Sequence, residues 1–119
     1  MKLEELVKAA VTALEEIKGH DIMVLDVRPM TSLFDELIIV SGDSTRQNRA
    51  LANHVREELK ALGAAVLGIV GEDNGEWILV DLGSVVVQIM QPAIRQYYNL
   101  EELWGNAVAP RRAVGSTKR

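Results

Sequence analysis

The sequence contains no cysteine. This excludes a disulfide framework, an iron–sulfur cluster and a thiolate zinc site, and it fits a reducing cytoplasm. Histidine is nearly missing too. His20 and His54 fall in a helix–strand turn and in a helical pattern, with no partner at local ligand spacing, so neither a metal nor another cofactor is expected. No apolar run approaches the roughly 20 residues that span a bilayer. The opening residues Met1-Lys2-Leu3-Glu4-Glu5 carry acids where a secretory signal needs a basic and then an apolar stretch. The expectation is a soluble, cytoplasmic protein that does not engage a membrane. The chain also lacks a Gly-x-Ser-x-Gly elbow, a dinucleotide fingerprint and a Lys-Ser/Thr phosphate-loop ending, the short motifs that announce a catalytic serine or a nucleotide.

What is present is the composition of one globular domain: 119 residues, 48% hydrophobic and 25% charged. A chain of this length buries roughly two thirds of its unfolded surface. Charge is placed unevenly. Up to residue 108 there are nine basic residues against 17 acids, a net of −8, whereas Arg111, Arg112, Lys118 and Arg119 face no acid at all. The division implied is a folded body over 1–108 and a basic tail without regular structure over 109–119. An acidic body is a poor polyanion binder and suits a basic protein partner.

Leu3, Leu6, Val7, Ala10, Leu14 and Ile17 repeat at the three- and four-residue spacing of an amphipathic helix, with Gly19 as its stop. Asp21 to Arg28 and Glu36 to Ser41 read as strands, the second continuous enough in Leu37-Ile38-Ile39-Val40 to be buried on both faces. Ser44 and Gln47 form a capping-box pair before a helix carrying Leu51, Val55, Leu59 and Leu62, which Gly63 ends. Three strands follow at Ala65 to Val70, Glu76 to Val80 and Val85 to Met90, joined by links of turn chemistry. A short helix from Pro92 to Tyr98 and a turn around Leu100 to Trp104, capped by Asn99, complete the series. The order predicts an α/β (α+β) domain with a mixed sheet of about five strands flanked by helices. The unit over 36–70 should be a right-handed parallel crossover, and the last three strands a meander.

A mixed sheet bearing acids can host metal-dependent nucleotidyl transfer, which needs two carboxylates converging on one ion. Asp21 and Asp26 are five apart and fall on opposite faces of their strand. Ser41-Gly42-Asp43-Ser44 enters a helix where a phosphate could sit, but ordinary capping accounts for the same residues. No catalytic group is predicted. The meander is more informative. Trp77, Leu79 and Asp81 alternate with Ile78 and Val80, and Gln88 and Met90 fall opposite Val85, Val87 and Ile89. If the aliphatic set points inward, Trp77, Leu79, Gln88 and Met90 share a face with the marks of a binding surface. Coverage of that face by a helix of the same chain is the alternative, and pattern alone does not choose.

Several stretches taken in order resemble the Iojap-like ribosomal silencing factor family. They are Asp21-Ile22 through Asp26-Val27, Ser41-Gly42-Asp43-Ser44-Thr45-Arg46-Gln47, Gly71-Glu72 through Trp77-Ile78-Leu79-Val80-Asp81-Leu82-Gly83, Val85 to Gln91, and Arg95-Gln96-Tyr97-Tyr98-Asn99-Leu100-Glu101-Glu102-Leu103-Trp104. The resemblance implies a nucleotidyltransferase-like core without catalytic acids. It implies binding to the large ribosomal subunit through ribosomal protein uL-fourteen, blocking small-subunit joining and lowering translation when nutrients are scarce. An assembly role on the large subunit is the alternative, and a nucleotidyl-transfer enzyme the more remote one. The contact residues it implies are Trp77, Leu79, Asp81, Met90, Gln91 and Tyr98. Many relatives carry histidine where this chain has Gln88, which puts any pH-sensitive role there in doubt. A minor contact of the basic tail with ribosomal RNA, and a homodimer through the same apolar face, are further expectations.

Overall fold

The computed structural model describes residues 1–100, residue 102 and residues 110–114, the last five by their backbone path. Its elements are α1 (Leu3–Glu16), β1 (His20–Asp26), β2 (Glu36–Ser41), α2 (Thr45–Ala61), β3 (Gly68–Val70), β4 (Trp77–Asp81), β5 (Val85–Met90), α3 (Pro92–Tyr98) and β6 (Pro110–Val114). The predicted apolar stripe of α1 is real: Leu6, Val7, Ala10 and Leu14 are all buried. The helix stop differs from expectation. Lys18, not Gly19, takes the left-handed conformation, at φ 63. Gly19 is needed for closeness instead, since a Cβ there would stand 2.8 Å from the Val40 side chain. At the end of α2, Gly63 does take a positive φ of 90, as a helix-ending glycine should.

The sheet runs β3-β4-β5-β2-β1-β6. The meander β3-β4-β5 is antiparallel throughout, as predicted. The crossover through α2 is wider than expected. β2 pairs in parallel with β5 and not with β3, because α2 carries the chain past two strand positions to the far edge and the meander folds back. Every residue of β2 is buried, which its central position requires. A sixth strand joins the mixed sheet of about five that was expected, within the segment 109–119 read as a basic tail. Pro110–Val114 pairs antiparallel with β1, where an open edge would leave a row of backbone donors and acceptors unpaired. Such pairing needs backbone groups and no apolar alternation, and Pro110 stands at the first strand position, where proline is tolerated. The rest of that segment, and most of the turn expected over 100–104, lie outside the described residues.

Two cores result. Helices α1 and α2 cover one sheet face, where Ile22, Val24, Ile38, Val40, Ile78, Val80, Val87 and Ile89 meet Leu14, Leu51, Val55 and Leu59. The other face holds a smaller cluster of Leu25, Val27, Leu37, Ile39, Val86 and Met90, with Phe34, Trp77, Leu79, Ile94 and Leu100 packed against it. No helix of the described residues is long and apolar enough to cross a membrane.

Candidate functional site: an aromatic face over the second core

The alternation in β4 and β5 resolves as the inward choice: Ile78, Val80, Val85, Val87 and Ile89 are completely buried beneath α1 and α2. Trp77, Leu79, Gln88 and Met90 therefore belong to the opposite face, and both readings of that face hold in part. Met90 is 0% exposed. It lies opposite Trp77 in the ladder, within the cluster that Ile94 of α3 helps to close. Trp77 and Leu79 are half-buried and Gln91 is partly exposed. Tyr97 and Tyr98, at the end of α3, are 81% and 53% exposed. Met90 is thus a support beneath the face, and the aromatic rings form its surface.

The rings are held by specific contacts. The Trp77 indole N–H donates to Gln88 Oε1 at 2.5 Å, a diagonal cross-strand pair, since the residue directly opposite Gln88 is Leu79. An amide oxygen accepts this bond at any pH, so Gln88 fixes the indole without titrating. Tyr98 tilts against Trp77 with ring centroids 4.8 Å apart, and Tyr97 stands edge-on to Tyr98 at 5.0 Å, the latter a favoured aromatic geometry. Beneath α3, buried Arg95 donates to Ser41 Oγ at 3.0 Å and ties the helix to the end of β2. Gln91 is the residue before the first turn of α3, and its N–H donates to the Glu76 carbonyl at 3.1 Å. The Asp81 carboxylate accepts from the Gly83 N–H at 2.9 Å and shapes the β4–β5 turn.

α2 sets the approach to β4 from behind. The Arg49 guanidinium donates to the carbonyls of Glu72, Asp73 and Asn74 at 2.7, 2.9 and 3.2 Å. Buried Asn48 donates to the Gly75 carbonyl at 2.8 Å. Of the six predicted contact residues, Trp77, Leu79, Asp81 and Met90 share one strand face and Tyr98 packs on Trp77, but Met90 lies below the surface and Asp81 is partly committed to a turn. Tyr97 escaped the sequence reading. Helical periodicity ranks a residue by the face it shares, and a seven-residue helix with one buried position, Arg95, offers too little periodicity to mark Tyr97 as outward.

The acids of the nucleotidyl-transfer alternative do not converge. The Asp26 carboxylate takes the Arg28 side chain at 2.9 and 2.5 Å, while that of Asp21 lies 3.1 Å from His20 Nδ1. At the entry to α2, Ser44 Oγ accepts from the Gln47 N–H at 3.0 Å. The Gln47 amide oxygen accepts from the Asp43 N–H at 2.7 Å, one residue earlier than a capping box places it. The Asp43 carboxylate occupies the space near this entry with His20 Nε2, at 2.7 Å.

Fold and site together define a small α+β domain that supports an aromatic surface on one sheet face, above a closed secondary core. A family model described as “Ribosomal silencing factor during starvation” matches residues 1–118. The chain belongs to this family. The “Ribosomal silencing factor RsfS” of Chromobacterium violaceum is 50% identical over 118 residues, covering 99% of this chain and 96% of that protein. A crystal structure from the same organism superposes with a TM-score of 0.86 at 51% identity, covering 88% of each chain. A more distant relative, the mouse “Mitochondrial assembly of ribosomal large subunit protein 1”, is 35% identical over 97 residues, 79% of this chain and 42% of that protein.

Proposed function

We propose that the protein represses translation by docking on the large ribosomal subunit, through ribosomal protein uL-fourteen, and obstructing the small subunit. The observation that carries this reading is the aromatic surface of Trp77, Tyr97 and Tyr98, which the second core holds outward. Leu79, Asp81 and Gln91 extend it, with Met90 beneath. Aromatic residues dominate the energetics of protein interfaces, and family membership directs the surface to the ribosome. The body is acidic, a net −8 up to residue 108, which complements a basic ribosomal protein. Binding is the whole of the action, with no catalytic step, and its place is the cytoplasm, where the ribosomes are. A second copy seated on the same face would compete with the ribosome.

The test is co-sedimentation with purified large subunits. Trp77→Ala should weaken binding by about thirtyfold, the equivalent of about 2 kcal/mol at an interface centre. Tyr98→Ala, altering a largely exposed ring, should weaken binding with little change in stability, which separates contact from folding. Unchanged co-sedimentation of both variants would remove the site from this face. Undiminished subunit joining in the presence of saturating wild-type protein would remove the mechanism.

A role in large-subunit assembly is the second reading, favoured by the name of the mouse relative. It uses the same partner but predicts precursor particles in growing cells that lack the protein.

A further inference from the structure

The helices on the other side of the sheet carry a constellation that ribosome binding does not use. Glu16 closes α1, and α2 brings His54 and Glu58, one turn apart on one helix face, against it. One ligand-capable atom from each of the three lies within 4.8 Å of the others, the one such group among the described residues. His54 Nε2 is already 2.8 Å from a Glu16 carboxylate oxygen. The imidazole is mostly enclosed, at 24% side-chain exposure, whereas Glu16 is 52% exposed. The nitrogen is therefore fixed, and the carboxylates are free to turn about it.

The Glu16–His54 pair alone would be an ordinary interhelical hydrogen bond. Two further features exceed it. Glu15 and Glu16 occupy the last turn of α1, which contains no basic residue, against the sign that a helix C-terminus favours. The adjoining groove between α1 and α2, about 610 Å³, is lined by Glu5, Glu16 and Glu58 against Lys8 and the amino-terminal Met1. Two carboxylates and a helix end of negative sign thus adjoin one imidazole.

We propose that Glu16, His54 and Glu58 form a site for a divalent first-row transition ion, zinc foremost. One imidazole nitrogen with two carboxylate oxygens suits such borderline ions, whereas magnesium and calcium prefer sets made of oxygen alone. Bonds of about 2.0–2.1 Å in tetrahedral geometry bring ligand atoms to about 3.3 Å from one another. Rotation of the two glutamate side chains closes the remaining gap, and water takes the fourth position. The ion joins the end of α1 to α2 and leaves the Trp77 face untouched. His20 is not an equivalent site. Its carboxylates sit on opposite ring nitrogens, Asp21 at Nδ1 and Asp43 at Nε2, so no single point reaches both carboxylates and a nitrogen.

The experiment is calorimetric titration of the full, untagged, chelator-stripped chain with zinc chloride, paired with thermal melting. Expected are one zinc per chain, a higher melting temperature with zinc, and at least roughly tenfold weaker binding in both His54→Ala and Glu58→Gln. His20→Ala should bind as the wild type does, and magnesium chloride should not compete. Glu58 is exposed, so Glu58→Gln remains informative if His54→Ala fails to fold. No saturable heat up to millimolar zinc, wild-type affinity in Glu58→Gln, or equal affinity for magnesium would each overturn the proposal.

Discussion

His20 shows how one side chain can make stability depend on pH. Its ring bridges Asp21 at the start of β1 and Asp43 before α2. Partial burial works to lower its pKa, but the hydrogen bonds and charges of Asp21 and Asp43 outweigh it, and the net direction is upward from 6.5. A group whose pKa rises on folding stabilises most when protonated in both states. The contribution is complete below the unfolded value of about 6.5 and disappears as the pH rises through the higher folded value. The stability difference between wild type and His20→Asn should therefore be larger at about pH 6 than at about pH 9. It should also shrink with salt, because side-chain exposures of 37%, 71% and 75% leave this network well solvated. Urea denaturation of both proteins at the two pH values measures it. A difference that stays constant, or grows toward high pH, would remove the clasp.

Between elements, the coupling of α2 to the β3–β4 loop determines how β4 presents its indole. Arg49 spends its guanidinium on three consecutive backbone carbonyls of that loop. These bonds are exposed, so Arg49→Ala should cost about 1–2 kcal/mol in urea denaturation. Amide exchange at Gly75, whose N–H donates to the Gly71 carbonyl, should accelerate with it. Wild-type exchange across the loop would show that Asn48 alone holds it. The same region marks the boundary of what sequence can tell. Period and punctuation located all three long helical and strand patterns around it, since each is set by residues a few positions apart. They also separated Ile78 and Val80 from Trp77 and Leu79, without fixing which set points inward. They could not say that α3 would roof Met90, because alternation separates two faces without naming what covers each. Nor could they pair β2 with β5, or bring Glu16 to His54, contacts decided by the path of the chain across the whole sheet.

For the whole molecule, the decisive quantity is how the sheet ends. One edge is β3, only three residues long, and a short edge strand offers little to a second chain. The other would be β1, seven residues long, were it not paired with β6. The basic segment that sequence assigned to an unstructured tail is, over Pro110–Val114, part of the fold. A minor contact of its charges with ribosomal RNA is a separate proposal, which backbone pairing does not require. Truncation after Val108 therefore tests two things at once and distinguishes them. Loss of the β6 ladder should cost about 1–3 kcal/mol in urea denaturation and should speed amide exchange along β1. The exposed edge should also raise concentration-dependent self-association, visible by sedimentation. Replacing Arg111 and Arg112 by glutamine leaves the backbone intact and should change neither exchange nor association. If the truncated chain keeps β1 protected while the double-glutamine chain loses affinity for large subunits, the segment acts by charge and not as a strand. If truncation exposes β1 and the double-glutamine chain binds as before, the last strand serves to close the sheet.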